Sequence, residues 1–108
     1  MKYLLLVYID PELLEQATAE QYDGEMRHCI RHADTLASQG TLLGFNKLES
    51  PAQARTVRIR EGRTSVFDGP FAETKEVLAG YNLVEADSLE QAIELASRFP
   101  WARYGSME

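Results

Sequence analysis

The side chains best suited to chemistry lie in a charged stretch in the second half of the chain. Asp68 and Glu73 are carboxylates that could serve as general acid or base, while Arg55 and Lys75 could hold an anionic group. Glu73 and Glu76 flank the Lys75 ammonium, so the three groups could shift one another's proton affinities. A structural alternative stays open, because an aspartate often starts a turn and a mixed charge run is often simply solvated.

Tyr8 and Tyr81 are further candidates, for ligand binding. Both lie in apolar segments typical of strands, where a phenol at the edge of a cleft could hydrogen-bond a ligand. The alternative is a core tyrosine whose hydroxyl is satisfied within the protein.

His28 and His32 are four residues apart, a spacing that lets two imidazoles on one helix face share a metal. A metal site needs a third protein ligand, and the glutamate of the HExxH pattern is missing here. Glu25 precedes His28 by three residues, which favours an exposed ion-pair ladder with both histidines on the solvated face. We therefore predict neither a metal nor a cofactor, and interpret Cys29 as an inert thiol.

These residues must be positioned by alternating strands and helices. Two helices are predicted, one after an N-cap at Thr18 and one after an N-cap at Ser88, and each cap is followed by a glutamine three residues later. The first helix ends before Gly40 and the second before Pro100. The strands are predicted from their β-branched, aromatic and apolar content and from flanking turn residues: Lys2 to Ile9, Thr41 to Leu48, Arg55 to Arg60, Arg63 to Asp68, Val77 to Ala86, and the start of a last one in Arg103 to Glu108.

Each helix carries an apolar stripe that predicts its buried face. The stripe of the first helix is Tyr22, Met26, Ile30, Ala33 and Ala37, flanked by Cys29 and Leu36. The stripe of the second is Leu89, Ala92, Ile93, Ala96 and Phe99.

The two central strands are predicted to form a hairpin around Glu61-Gly62, since glycine supplies the positive φ of a two-residue loop. In that register Arg55 lies opposite Asp68, on the same face as the apolar side chains of the pair. We expect that face to be buried and to contain Val57, Ile59 and Val66.

The order of elements favours a ferredoxin-like α+β fold, with two helices on one face of the sheet. The first strand is apolar on both sides, so the opposite face would expose an apolar patch in a monomer. A face-to-face homodimer, of the dimeric α+β barrel kind, would cover it.

Composition narrows the class of protein. A chain of 108 residues corresponds to one domain, and the net charge of −6 disfavours nucleic-acid and anionic-membrane partners. There is no apolar run of membrane-spanning length, and the single cysteine gives no reason to expect an oxidising compartment. We expect a cytoplasmic protein.

The stretch DGPFAETKE, from Asp68 to Glu76, resembles the signature of the DGPF-domain branch of the YCII-related family. The segments MKYLLLVY, GYNLVEADSLEQAIELA and ARYGSME resemble the same branch, so the similarity covers nearly the whole chain. The resemblance implies a ferredoxin-like fold and a dimer, and it implies no established reaction. It also makes Asp68 a counterpart of an aspartate that relatives are suspected of pairing with a histidine, although neither histidine here matches that partner.

Two functional hypotheses follow. The first is a cofactor-independent enzyme acting on a small polar or aromatic molecule, with Asp68 as acid or base and with Arg55 and Lys75 holding an anion. The second is a non-enzymatic ligand-binding or accessory protein. The resemblance links it to extracytoplasmic-function sigma factors as possible partners.

Overall fold

The computed structural model describes residues 1–108, and four of its six strands form one antiparallel sheet. These are β1 (Lys2–Ile9), β2 (Leu42–Lys47), β5 (Val77–Glu85) and β6 (Gly105–Met107), in the order β2-β5-β1-β6. The order is that of a ferredoxin-like fold, so the predicted fold class is confirmed. The other two strands, β3 (Arg55–Arg60) and β4 (Arg63–Asp68), form a separate two-stranded hairpin, called the arm below.

Three helices complete the fold, of which two were predicted. They are α1 (Pro11–Glu15), α2 (Ala19–Ser38) and α3 (Leu89–Ser97). Thr18 and Gln21 form the predicted capping box at the start of α2. The sequence prediction missed α1. Asp10 is the N-cap of this helix, and Pro11 is its first residue. No helix is both long and apolar enough to cross a membrane.

The core lies between the sheet and the two longer helices. Both helices pack on the same face, as predicted, because the buried cluster draws on β1, β2, β5, α2 and the residues just after α3. Its members are Leu5, Ala33, Leu36, Leu42, Val84 and Phe99. Tyr3, Cys29, Leu95 and Trp101 pack around this cluster and are partly buried.

Both helices are rotated relative to the predicted stripes. In α2 the buried residues are Ala33 and Leu36, whereas Ile30 and Ala37 are exposed. In α3 only Ala92 is buried, and Leu89 and Ile93 are exposed. The buried faces predicted from apolar spacing were wrong because each helix packs on the rest of the protein through only one edge of its apolar stripe. That edge lies next to Phe99 and Trp101.

The sheet face opposite the helices is uncovered within the chain. Register pairs Leu4 with Leu83 and Leu6 with Tyr81, and the side chains of these pairs point away from the core. Leu4 is exposed and the other three are half-buried, so this far face is apolar, as the sequence predicted.

The arm has the predicted register, with Arg55 opposite Asp68 and Arg60 opposite Arg63. Its loop has positive φ at Glu61 and Gly62, as a two-residue hairpin turn requires. Within the chain its apolar face is not buried as predicted: the exposed fractions of Val57, Ile59 and Val66 are 62%, 62% and 64%. The projecting arm helps raise the radius of gyration to 16.0 Å, against about 13 Å for a chain of this length.

Candidate functional site

An open cleft of about 990 Å³ lies at the base of the arm and is called the arm-root cleft below. Its walls come from the facing ends of β1 and β5, the connection between β2 and β3, the base of the arm, and the segment after β4. Tyr8, Arg55 and Glu73 line it, so three of the predicted site residues share one cleft. The apolar part of its lining includes Leu48, Pro51, Val57, Pro70, Phe71, Val77 and Leu78.

Two hydrogen bonds to backbone carbonyls shape the cleft at the base of the arm. The Gly69 amide donates to the Ala54 carbonyl at 2.8 Å, and the Thr56 hydroxyl donates to the Gly69 carbonyl at 2.9 Å. Gly69 has a φ of 90°, a conformation that favours glycine, so the chain can turn back directly after β4. The turn therefore explains the glycine of the DGPF stretch in structural terms.

Asp68 pairs with Arg55, as the register predicted, with 3.1 Å between Oδ1 and Nε. The Asp68 side chain is 92% exposed and is not part of the cleft lining. Arg55 also donates from Nη1 to the Ala54 carbonyl at 2.8 Å. The Asp68 carboxylate thus contacts the guanidinium group of a residue that lines the cleft.

Lys75 lies beside Asp10, an acidic residue that the sequence analysis did not single out. Its Nζ is 3.6 Å from Oδ2 of Asp10, whose side chain is only 6% exposed. The other Asp10 oxygen accepts the Glu12 amide at 3.0 Å, so one carboxylate both caps α1 and anchors the charged stretch. The signal in the sequence was an aspartate before a proline, which is typical of a helix cap.

The two remaining glutamates of the stretch have different environments. Glu76 accepts a hydrogen bond from the Ser106 hydroxyl at 2.7 Å, and the Thr74 hydroxyl donates to the Glu76 carbonyl. Glu73 lines the cleft and has no ion-pair partner within the chain. Glu73 is therefore the carboxylate of this stretch that is free to meet a ligand.

The two candidate tyrosines are separated by the structure. Tyr8 lines the cleft, whereas Tyr81 lies further along the far face and outside the lining. The Tyr81 hydroxyl accepts a hydrogen bond from Asn46 Nδ2 at 2.8 Å, which links β5 to β2. Of the two phenols, only Tyr8 can contact a molecule in the cleft.

The whole chain, residues 1–108, matches the profile of the YCII-related domain. The chain belongs to the YCII-related family. It is also similar to an uncharacterised protein of Rhizobium meliloti (strain 1021), with 34% identity over 96 residues, covering 89% of this chain and 77% of the relative. All the elements that line the cleft therefore lie within the YCII-related domain, and membership of the DGPF branch stays a prediction.

Predictions were also made for two side chains of this YCII-related domain that lie outside the cleft, His32 and Cys29. His32 was placed on the solvated face, and this is wrong, because the rotation of α2 leaves it half-buried against Phe99, with 4.5 Å between ring centroids. Cys29 receives a hydrogen bond from the Trp101 indole at 3.3 Å. Burial raises the pKa of the Cys29 thiol, an effect that the Trp101 bond opposes, and the inert thiol stays a prediction.

Proposed function

We propose that this YCII-related domain binds a small polar or aromatic molecule in the arm-root cleft and acts on it without a cofactor. The observation that carries the proposal is that a guanidinium, a phenol and an unpaired carboxylate line one open, largely apolar cleft. Ligand sites commonly combine an apolar lining with a few polar groups that fix orientation.

The residues have different roles in this proposal. Arg55 holds an anionic group of the ligand, and Asp68 keeps the guanidinium in place from outside the lining. Glu73 is the acid or base, supported by its position in the lining and its lack of an ion-pair partner. Lys75 anchors the charged stretch to Asp10, and Tyr8 offers a hydrogen bond at the apolar wall.

Benzoate tests the location of the site, because it joins a carboxylate to a small aromatic ring. Titrated into isotope-labelled protein, it should perturb the amide resonances that border the cleft, namely those of residues 48–57 and 69–78. Benzamide, which has the same shape without the charge, should bind more weakly. Perturbations confined to other parts of the chain, or none at all, would contradict the proposal.

We also propose that the protein is a homodimer. The far face of the sheet and the Val57, Ile59 and Val66 side chains of the arm are apolar and uncovered. An isolated two-stranded hairpin is marginally stable in water, so the arm needs a surface to pack on. The arm also carries four of the chain's 11 Lys and Arg residues, whereas the protein as a whole has a net charge of −6. A second copy therefore offers both apolar and acidic surface to the arm.

A substitution on the apolar face of the arm should dissociate this dimer. Val66→Lys is expected to weaken dimerisation by about tenfold or more, since burying an unpaired ammonium is costly. Ser65→Lys is the matched control, because Ser65 lies on the opposite face of the same strand. Sedimentation equilibrium reports both values. A monomeric wild-type protein, or equal effects of the two variants, would contradict the proposal.

The accessory-protein hypothesis has one observation in its favour, which is the same uncovered arm. If the wild-type protein is monomeric, the arm face is available to another protein, and a sigma factor copurifying from native extract would be lost in Val66→Lys. Repeated copurification without any sigma factor would argue against that partner. The cytoplasmic location stays a prediction.

A further inference from the structure

A second concave surface lies on the other side of the molecule, between α2 and the C-terminal end of α3. This groove has a volume of about 410 Å³ and shares no lining residue with the arm-root cleft. It is called the basic groove below, and it is lined by His28, Arg31, His32, Thr35, Ser97, Arg98, Phe99 and Arg103.

The charge of this groove is opposite to that of the protein. Its lining contains both histidines of the chain and three of its 11 Lys and Arg residues, and it includes no carboxylate. Two carboxylates, Glu94 and Glu25, border the groove and pair with Arg98 and Arg103, which leaves Arg31 as the arginine of the groove without an ion-pair partner. The concentration of cations indicates a site for an anion.

Two of the three arginines are held by ion pairs, and all three keep donors free. Arg98 is 2.6 Å from Glu94, and Arg103 is 2.6 Å from Glu25, each through a single nitrogen, Nη2. Arg31 has no ion-pair partner in the chain. A guanidinium has five N–H donors, so all three side chains can still bind an anion.

His32 forms part of the floor of the groove. Its Nε2 lies 3.3 Å from the Leu95 carbonyl, and its ring packs edge-on against Phe99. Burial lowers the pKa of His32, and the charges of Arg98 and His28 act in the same direction, whereas the Leu95 carbonyl opposes them. An anion in the groove would offset the repulsion between these cations.

We propose that the basic groove binds a phosphate group, either free or as the monoester of a small molecule. Guanidinium groups match phosphate oxygens in geometry as well as in charge, and Arg31 approaches the groove from α2 whereas Arg98 approaches it from the C-cap of α3. Apart from Phe99 the lining is polar, so the site favours the charged group over an apolar body. This site does not depend on the function proposed for the cleft.

Inorganic phosphate and glycerol phosphate are the probes for this site, titrated at constant ionic strength with sodium chloride. Saturable shifts of the His28 and His32 ring protons are expected with both. Tighter binding of glycerol phosphate would identify the monoester as the preferred form, whereas tighter binding of phosphate would identify the free ion. Shifts that stay linear with concentration, or that chloride reproduces, would overturn the proposal.

Arg31→Gln is the decisive variant, because Arg31 has no partner in the chain and its loss leaves no buried charge. It should weaken phosphate binding by about tenfold, the loss of one bidentate contact. Arg60→Gln, at the end of the arm, is the control and should change the affinity by less than about twofold. Equal effects of the two variants would indicate non-specific attraction and overturn the site.

Binding should also take up a proton. The charged groups that line the groove around His32 are His28 and Arg31 from α2, Arg98 at the C-cap of α3 and Arg103 from the turn that follows. Glu25 and Glu94 neutralise two of the arginines. Sulfate, whose charge is constant over this range, should therefore bind more tightly at pH 5.5 than at pH 7.5 and raise the pKa of His32. An unchanged His32 titration curve in saturating sulfate would contradict this assignment.

Discussion

Replacing Phe99 with alanine should lower the free energy of unfolding by about 3–5 kcal/mol. The ring is 2% exposed, and it joins α2, α3 and the sheet in one cluster. Its removal leaves a cavity that two helices and a sheet cannot easily close, and it also removes the support of the His32 ring. Chemical denaturation, with the midpoint and slope compared to wild type, gives the value.

Ile93→Ala is the matched control, because the sequence pattern assigned Ile93 to the same buried stripe as Phe99. In the structure Ile93 is exposed on α3, where alanine is a good helix former, so the change should be within about 0.5 kcal/mol. A cost similar to that of Phe99→Ala would mean that α3 packs on its predicted stripe rather than on the observed face.

Gly105→Ala should be the second most damaging substitution. A Cβ at this position would lie 2.0 Å from the Tyr8 carbonyl oxygen and 2.9 Å from the Ile9 Cα, so backbone would have to move. The expected cost is about 3 kcal/mol or more, the upper end for overpacking, with loss of the β6 pairing to β1. Hydrogen exchange should show the amides of Leu6 and Glu108 becoming unprotected.

Gly24→Ala is the control for this substitution. Gly24 lies within α2, and an added Cβ would meet no atom within 4 Å. Alanine there should stabilise the protein by about 0.5–1 kcal/mol, since glycine costs backbone entropy in a helix. If both glycine variants have the same effect, the close contact between β6 and β1 is not real.

Local signals predicted most of the secondary structure. The Thr18 and Ser88 caps, the Glu61-Gly62 loop and the Arg55–Asp68 register depend on neighbours in sequence, and all are present in the structure. In each case the physical cause lies within a few residues or within one hairpin. That is why the bounds of β1, β3 and β4 agree with the prediction.

The errors come from contacts that only the tertiary fold determines. Apolar spacing could not show that α2 buries Leu36 in preference to Ile30, because both positions fit a helical stripe. Likewise, alternation in the arm predicted which side chains share a face but could not show that no other element covers that face. Burial depends on neighbours that are distant in sequence.

The candidate site was predicted in part for the same reason. The charged stretch after β4 indicated the right region, and Arg55, Glu73 and Tyr8 do meet in one cleft. The contact that holds the charged stretch against the rest of the protein could not be predicted, because the Lys75–Asp10 ion pair joins positions 65 apart in sequence. The role of Asp68 outside the lining likewise depends on how the arm meets the sheet.

The affinity of benzoate for Arg55→Gln, compared with wild type and Arg60→Gln, tests the central claim most directly. Arg55 lines the cleft, whereas Arg60 is an equally charged arm residue outside it. We expect Arg55→Gln to weaken binding by about tenfold, equivalent to about 1.4 kcal/mol, with folding unchanged because Asp68 is solvated. Arg60→Gln should leave the affinity unaltered. Wild-type affinity in Arg55→Gln, or equal losses in both variants, would show that the arm-root cleft is not an anion-binding site.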